Sequence, residues 1–351
     1  MGRKSYQTPP SCTLTPNHSM RSTSSHHVLV VGVGSIGERH VRCFLATGRT
    51  RVSICEINPT LRAEVAGRYS IEQHCSGLDE ALAQAPTAAV VAVPAHRHMP
   101  VAQQAAEAGL DLLIEKPLSV ALEGTDRLRQ TVARQGRVAA VAYVYRAHPA
   151  LAAMKRAIGS GRWGAPVELV AVAGQHFPTY RPAYREIYYR DRATGGGAIQ
   201  DALTHLLNAG EWLVGPVDRV VADAAHQVLP GVEVEDTVHL LARQGTVLAS
   251  YALNQHQGPN ENSITVVCQR GTVRFEYHRH RWQWMTDGDW QSQPSVGMER
   301  DTLFIRQAES FLDAIEQRAG PLCNLDEGLQ TLRVNLAALE SVGQGQWVNV
   351  R

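Results

Sequence analysis

The sequence has few cysteines for its 351 residues, and their spacing argues against the usual cysteine-built sites. The six are scattered, and no two of them form a CxxC pair: Cys12, Cys43, Cys55, Cys75, Cys268 and Cys323. This spacing disfavours a zinc site and a disulfide framework, and it is typical of proteins in a reducing compartment. We therefore expect no metal and a cytoplasmic location.

The sequence also lacks a surplus of charge and a long hydrophobic run. Its formal net charge is +1, so there is no basic excess to hold a nucleic-acid backbone. No stretch approaches the roughly 20 apolar residues of a membrane span. Residues 1–25 are polar and rich in Ser, Thr and Pro, which predicts a disordered leader rather than a secretory signal, with Met20 as an alternative start. We expect neither nucleic acid nor a membrane as a partner.

The first half of the chain alternates strand-like and helix-like segments. A chain of this length is too long for one ordinary core, so two domains are expected. Short apolar runs predict strands at 27–34, 51–57, 88–94, 111–117 and 138–145, with helices after the first strand, over about 97–108 and over 121–135. This alternation predicts an α/β domain over residues 26–145, a doubly wound parallel sheet of the Rossmann type.

After residue 145 the pattern changes to closely spaced strands with apolar–polar alternation. Strands are predicted within 167–175, 217–227, 235–244, 245–255, 261–270 and 271–280, with hairpin turns at Gln244-Gly245 and Arg270-Gly271 and helices over 301–318 and 326–342. Residues 146–351 are thus predicted to form a substrate-binding α/β domain with a large, mostly antiparallel open sheet. A free sheet face often pairs with a copy of itself, so we expect a homodimer or homotetramer.

The first predicted strand runs into GVGSIG, which has the pattern GxGxxG. Between a strand and a helix, Gly32 permits a tight turn, Gly34 lets the backbone approach a pyrophosphate, and Gly37 allows close helix–strand packing. Ser35 and Ile36 then open a helix whose N-terminus attracts phosphate. The alternative is an ordinary βα turn, but the match of strand, glycines and helix favours dinucleotide binding.

Glu56 ends the second predicted strand, nineteen residues after Gly37. A carboxylate at this point accepts hydrogen bonds from the ribose hydroxyls of an adenosine and repels a 2′-phosphate. The sequence therefore favours NAD as the cofactor and leaves NADP open.

A lysine follows the fourth predicted strand, in the run Ile-Glu-Lys-Pro. Lys116 then stands at the carboxyl edge of the sheet, where open α/β folds bind ligands. Pro117 restricts Lys116 to an extended backbone, which favours a positioned side chain. The alternative is a lysine that only reaches solvent from a strand end.

An acid and an imidazole follow the three glycines Gly195–Gly197. Asp201 and His205 are four residues apart in a helix-like run, so they share a helix face. The glycines allow close approach of a ligand and a sharp entry into the helix. The pair is either part of a reaction site or a surface ion pair.

Two further stretches carry polar side chains whose role the sequence leaves open. Residues Pro94–His98 follow a strand beside the predicted nucleotide site, where they either contact it or include incidental histidines. The segment 175–194 is rich in Tyr and Arg, which donate hydrogen bonds over a long reach. This segment either lines a pocket for a polyhydroxylated or anionic ligand or lies against a partner subunit.

Four features of the sequence resemble, in their order along the chain, the motifs of the glucose–fructose oxidoreductase / inositol dehydrogenase (Gfo/Idh/MocA) family. They are GxGxxG, Glu56, EKP and GGGxxxDxxxH. The likeness spans about residues 26–345. The segment Tyr145–Pro149 looks like the family's connection between domains, and FIRQAESFLDAI resembles its late helix. The resemblance implies an NAD(P)-dependent dehydrogenase of a sugar or polyol, with a Rossmann domain followed by a large open sheet.

By position, the resemblance implies a catalytic site formed by Lys116, Asp201 and His205. Motifs and resemblance together predict cofactor contacts from Gly32, Gly34, Ser35, Ile36, Gly37, Glu56, Pro94, His96, His98, Glu115 and Lys116, and substrate contacts from Tyr145, His176, Tyr184 and Arg185. Many relatives have Asn where this chain has Ala95, so a contact on the nicotinamide side is either lost or supplied by His96.

These residues suggest a mechanism. His205, with an intrinsic pKa near 6.5, takes the proton of the substrate hydroxyl. Asp201 orients the imidazole or binds a neighbouring hydroxyl, and Lys116 hydrogen-bonds the reacting oxygen. Two other functions fit the same motifs: a glycosidase that oxidises its sugar transiently with NAD, and a dinucleotide-sensing protein without activity.

Overall fold

The computed structural model describes residues 26–351, which form two β-sheets with helices packed on both. The predicted leader, residues 1–25, lies outside the described residues, as do Met20 and Cys12.

The first sheet contains six parallel strands within the described range, in the order β3-β2-β1-β4-β5-β6. They are β1 (His26–Val31), β2 (Thr50–Cys55), β3 (His74–Cys75), β4 (Ala88–Val91), β5 (Asp111–Ile114) and β6 (Ala139–Val141). The order reverses between β1 and β4, the point where doubly wound folds bind ligands beyond the carboxyl ends of the strands. The predicted doubly wound parallel sheet is confirmed, although the two-residue strand β3 was not predicted.

Helices cover both faces of this sheet. They are α1 (Ser35–Ala46), α2 (Pro59–Tyr69), α3 (Leu78–Ala83), α4 (His98–Glu107) and α5 (Thr125–Gln135). Because of this double cover, β4 is fully buried along its whole length, which explains its unbroken apolar sequence. Four of the strands end just before predicted site residues: β1 before Gly32, β2 before Glu56, β4 before the turn that holds His96, and β5 before Lys116.

The second sheet has nine strands in the part of the chain that the structure describes, in the order β14-β13-β12-β11-β7-β10-β9-β8-β15. They are β7 (Pro166–Gly174), β8 (Arg219–Ala225), β9 (Thr237–Gln244), β10 (Val247–Asn254), β11 (Glu261–Cys268), β12 (Gly271–Glu276), β13 (Arg281–Met285), β14 (Gln291–Pro294) and β15 (Val348–Asn349). Only β7 and β10 pair in parallel in this described sheet, so the mostly antiparallel prediction is confirmed. Both predicted hairpins are present, β9–β10 and β11–β12.

The helices of the second half are α6 (Pro149–Gly159), α7 (Phe177–Tyr180), α8 (Thr204–Val214), α9 (Thr302–Ile315) and α10 (Leu325–Gln344). A π-helical turn, Ile199–Leu203, leads directly into α8. None of the helices in residues 26–351 combines the length and apolar character needed to cross a membrane.

One face of the second sheet is open. Val172, Leu241 and Leu248, on neighbouring strands, are each about half exposed on this face. The opposite face packs on α8 and α10, whose apolar residues share its core.

The last two long helices return to the first sheet. In α9, Ala308, Phe311 and Leu312 pack in the core on one side of that sheet, with the ring of Phe311 edge-on to Phe44. In α10, Leu329 and Leu332 pack on its other side. The strands of the first sheet thus end at Val141 and those of the second begin at Pro166, while the helical cover of the first sheet includes residues from the C-terminal end.

Candidate active site

The three glycines after β1 have different surroundings. At Gly32, φ is +84° and a Cβ would lie 2.9 Å from the carbonyl oxygen of Ala92. A Cβ at Gly37 would overlap the carbonyl oxygen of Gly32. At Gly34 a Cβ would meet no atom of residues 26–351 within 4 Å, so this backbone faces open space. Gly32 and Gly37 are thus required by the fold, whereas Gly34 leaves room for a ligand.

The N-terminus of α1 lies beside that open space. Gly34 is its N-cap, and no side chain in the described part of the chain caps this end. Uncapped N–H groups and the helix dipole attract an anion here, and Ser35 is exposed at the first position of the helix. An open glycine backbone at an uncapped helix start fits the pyrophosphate of a dinucleotide.

Glu56 is held against the glycine turn by backbone donors. The N–H of Val33 donates to Oε2 at 3.0 Å, and the N–H of Asn58 donates to Oε1 at 2.9 Å. The next residue, Ile57, is 84% exposed, an uncommon position for an isoleucine. A fixed carboxylate next to an exposed apolar surface suits the ribose and adenine of a dinucleotide. Ile57 was not among the predicted cofactor contacts; its signal in the sequence is an apolar residue directly after the acid.

Lys116 and Asp201, 85 positions apart in the sequence, are in contact. The Lys116 Nζ donates to the Asp201 backbone oxygen at 2.6 Å and to its Oδ1 at 3.1 Å. The lysine side chain is 11% exposed and the carboxylate is buried. Lys116 is therefore not a lysine that only reaches solvent, and Asp201 does not belong to a surface ion pair. The ammonium carries three N–H donors, which leaves one beyond these two contacts.

Two residues of the Tyr/Arg segment complete the surroundings of Asp201. Arg181 Nη1 lies 3.1 Å from Oδ2, and the hydroxyl of Tyr188 donates to Oδ1 at 2.7 Å. Burial alone would raise the pKa of Asp201, but the cations Lys116 and Arg181 and the Tyr188 hydrogen bond outweigh it and hold that pKa below its usual range. Asp201 is therefore ionised, and its oxygens are occupied by these donors.

His205 stands apart from the Asp201 carboxylate. Its ring stacks on Tyr145 with centroids 4.9 Å apart, and its Nδ1 has no hydrogen-bond partner among residues 26–351. Asp201 thus does not orient the imidazole, contrary to one of the two roles expected for it. Burial, together with the positive charges of Lys116 and Arg181, holds the pKa of His205 well below its ordinary value. The imidazole is neutral and able to accept a proton.

The ring of Tyr145 stacks on the imidazole of His205. This ring lies between His205 and Tyr277, with centroids 4.9 Å from each, and its hydroxyl accepts a hydrogen bond of 2.8 Å from Asn262 Nδ2. Burial raises the pKa of Tyr145, so the phenol stays protonated. Tyr145, which was expected to contact substrate, is fixed against the imidazole of His205.

Two residues predicted to contact the cofactor are instead enclosed. The ring nitrogens of buried His98 lie 3.0 Å from the oxygen of Pro117 and 2.8 Å from that of Val93. The Glu115 carboxylate lies 2.6 Å from His40 Nε2 and accepts from the N–H of Lys116. Both side chains use their polar atoms within the protein, so they hold the turns after β4 and β5 in place rather than presenting a group to a ligand.

The turn after β4 lies against the glycine segment. A Cβ on Gly195 would lie 2.9 Å from that of Ala95, whose side chain is buried. The adjacent Pro94 and His96 are exposed. Of the cofactor contacts predicted in this turn, these two remain exposed.

The other predicted substrate residues have hydrogen-bond partners other than Asp201. Buried Tyr184 donates its hydroxyl to the oxygen of Pro230 at 2.8 Å and accepts from Arg185 Nε at 3.0 Å. His176 Nδ1 lies 2.8 Å from Thr179 Oγ1. The structure brings Arg181 and Tyr188 to Asp201 in their place. No periodicity marks these two positions in the sequence, because the segment is a series of short turns.

In residues 26–351, no group of three or more His, Cys, Asp or Glu side chains is arranged to hold a metal ion.

Comparison with protein families gives two consecutive matches that together cover about two thirds of the chain. Residues 26–143 match the model described as the oxidoreductase family, NAD-binding Rossmann fold, of the Gfo/Idh/MocA group. Residues 151–274 match the model of the Gfo/Idh/MocA C-terminal domain.

Among curated proteins, the levoglucosan dehydrogenase of Pseudarthrobacter phenanthrenivorans is 26% identical, over 92% of this chain and 98% of that protein. The inositol 2-dehydrogenase of Rhizobium meliloti is 24% identical, with the same two coverages of 92% and 98%. A solved levoglucosan dehydrogenase in complex with NADH and levoglucosan superimposes with a TM-score of 0.85 at 24% identity, covering 93% of this chain and 99% of that one. This last similarity shows a common fold.

Proposed function

Because the chain belongs to the Gfo/Idh/MocA family of NAD-binding oxidoreductases, we propose that it is an NAD-dependent dehydrogenase of a sugar or polyol. The reaction is the transfer of a hydride between a secondary alcohol of the substrate and the nicotinamide. The observation that carries this proposal is the contact between Lys116 and Asp201 beside the neutral imidazole of His205, at the carboxyl edge of the first sheet.

Each of the three residues has a distinct task in this proposal. NAD, when bound, supplies the acceptor for the hydride that leaves the carbinol carbon. His205 accepts the hydroxyl proton, and its low pKa keeps the imidazole unprotonated at neutral pH before the reaction. Lys116 uses its third N–H donor to stabilise the negative charge that develops on the reacting oxygen. Asp201 holds the ammonium in place from two sides, by its carboxylate and its backbone oxygen.

The cofactor would lie along the carboxyl ends of β1, β2 and β4. The open backbone at Gly34 and the start of α1 would hold the pyrophosphate, and Glu56 the adenosine ribose. Pro94 and His96, exposed in the turn after β4, would border the nicotinamide end.

The substrate class follows the relatives that cover nearly the whole chain, which are named for levoglucosan and for inositol. Both compounds carry secondary hydroxyls on a ring. We therefore place the substrate of this chain among ring sugars, anhydrosugars and cyclitols, including their acidic derivatives.

The test is a panel assay with the purified full chain and NAD, in which NADH formation is followed by absorbance. The panel contains inositols, aldoses, anhydrosugars, aldonates, uronates and nucleotide sugars. We expect one NADH for each substrate molecule oxidised, with at least one class of compound in the panel. Release of an aglycone without net NADH would instead identify a glycosidase, and NAD binding without turnover of any compound would contradict the proposed dehydrogenase.

A further inference from the structure

The candidate active site holds two cations against one carboxylate. Lys116 and Arg181 each approach Asp201 to 3.1 Å, on different oxygens of the same buried group. A single carboxylate thus receives two cations.

The other titratable groups nearby do not pair with Arg181. His205 is neutral, and burial together with the negative charge of Asp201 raises the pKa of Tyr188, which keeps the phenol protonated. The two other buried carboxylates nearby have partners of their own. Glu115 pairs with His40 at 2.6 Å, and Glu235 pairs with Arg192 at 2.8 Å.

Arg181 is the more open of the two cations. Its side chain is 43% exposed, and its guanidinium lies over the ring of Phe177 at 5.3 Å from the centroid. Only Nη1 donates to a group within residues 26–351, and that group is Asp201. A guanidinium has five N–H donors in a planar fork, so an edge of the fork that suits a second carboxylate is free.

The carboxylate of Asp201 has hydrogen-bond donors other than Arg181. Lys116 already donates to Oδ1 and to the backbone oxygen, and Tyr188 also donates to Oδ1. A second cation therefore adds charge to the site beyond what the carboxylate requires. Because a guanidinium with unused donors binds a carboxylate through charge-assisted N–H···O bonds, the arrangement favours a ligand that brings a negative charge.

We propose that Arg181 binds a carboxylate of the substrate, and that the preferred substrates are acidic sugars, aldonates or uronates, rather than neutral polyols. Arg181 and Lys116 share one carboxylate, so the free guanidinium edge lies near the reacting oxygen. The substrate carboxylate is accordingly expected only a few carbon atoms from the carbinol that is oxidised. This inference rests on the proposed function for the identity of the reacting group, while the acid site itself can be tested by binding alone.

The experiment measures binding by calorimetry to the full chain loaded with NADH. The probes are two matched pairs, D-gluconate with D-glucitol and D-glucuronate with D-glucose. The wild-type protein should bind the acid of at least one pair more tightly than its neutral partner. Arg181→Gln should weaken binding of that acid about 10- to 100-fold, the usual range for a lost hydrogen-bonded ion pair, and should leave the neutral partner nearly unchanged.

Two further variants separate the acid site from a purely structural role. Arg181→Lys keeps the charge without the planar fork and should restore part of the acid affinity. Arg190→Gln changes an exposed arginine of the same segment and should bind both members of each pair like the wild type. A structural role for Arg181 alone would weaken acid and neutral probes by the same factor.

The outcomes are distinct for the two proposals. Equal wild-type affinity for both members of each pair, or an equal loss of both in Arg181→Gln, overturns the acid site. Acid-selective binding that depends on Arg181 but gives no NADH with any sugar or polyol supports the acid site and overturns the dehydrogenase.

Discussion

The Nζ atom of Lys116 lies 2.6 Å from the backbone oxygen of Asp201 and 3.1 Å from its Oδ1. This contact joins the carboxyl end of β5 to the π-helical turn before α8, and thus the first sheet to the helix that covers the second. The ammonium is fixed by both contacts, so its remaining donor has a defined direction.

Replacement of the proposed base, His205, or of Lys116 at the reacting oxygen should affect turnover and not cofactor binding. Lys116→Ala and His205→Ala are each expected to lower kcat by ~10²–10⁴-fold, the range for a lost acid–base group. The affinity for NADH, measured by fluorescence titration, should stay close to wild type, because neither side chain lies at the glycine turn. His74→Ala, at an exposed histidine on β3, is the matched control. Near-normal turnover in both variants would reject the assignment.

The pH dependence should reflect the depressed pKa of His205. A base that must be neutral loses activity as pH falls through its pKa, so the acidic limb of kcat/KM should lie below the ordinary value of about 6.5. The positive charge of Arg181 contributes to this depression. Arg181→Gln should therefore move the acidic limb to higher pH, and Arg181→Lys should leave it near wild type. A limb that is the same in all three proteins would show that another group controls it.

Two glycine substitutions should separate folding from cofactor binding. Gly37→Ala places a Cβ on the oxygen of Gly32 and should lower the melting temperature by several degrees, since overpacking costs ~1–3 kcal/mol. Gly34→Ala places a Cβ in open space, so its melting temperature without cofactor should match wild type while its affinity for NAD falls. Thermal denaturation with and without NAD measures both effects. Equal NAD affinity in Gly34→Ala and wild type would argue against a pyrophosphate at this backbone.

The choice between NAD and NADP should depend on Glu56. Glu56→Gln keeps the shape of the side chain and removes the charge that repels a 2′-phosphate. The ratio of kcat/KM for NADP to that for NAD should rise about 10- to 100-fold, in line with the weight of a charged hydrogen bond. Glu72→Gln, at an exposed position before β3, should leave the ratio unchanged. An unchanged ratio in Glu56→Gln would place the adenosine ribose elsewhere.

The open face of the second sheet should hold a second copy of the chain. Leu241 and Leu248, 54% and 52% exposed on adjacent strands, are large apolar side chains of this face, where an added charge would weaken apolar contacts with a second copy. Leu241→Glu is expected to shift the molar mass in light scattering after gel filtration from a multiple of the chain mass toward a single chain. Val296→Glu, at a residue that is 90% exposed outside the sheet, is the control. A monomeric wild-type protein would contradict this prediction.

Much of the fold was predictable because burial on both faces leaves long apolar runs, as in β1 and β4. Some of the elements that were not predicted lack such a signal. β3 and β15 have two residues each, and β14 is polar and exposed throughout. Helix α6 is different, since Leu151, Met154 and Ile158 follow a helical period, and Pro149 stands at its start. Its omission was an error of interpretation.

The site was predictable only in part. Lys116, Asp201 and His205 stand in motifs with recognisable neighbours, whereas Arg181 and Tyr188 lie in a segment held by its own turns. Which tyrosine or arginine of that segment reaches Asp201 depends on the tertiary path of the chain. His98 was predicted to contact the cofactor because it follows a strand beside the glycine turn. The sequence does not show that two carbonyl oxygens lie against its ring nitrogens.

The return of α9 to the first sheet makes the nucleotide-binding lobe a composite of distant chain segments. Phe311 and Leu312 fill a face that residues 26–145 cannot cover alone. A truncated lobe ending at residue 145 would expose that apolar surface to water and should aggregate. The lobe therefore cannot be transferred to another protein as residues 26–145 alone, because a chimera must also include α9. A mutation that weakens the packing of α9 should likewise weaken coenzyme binding.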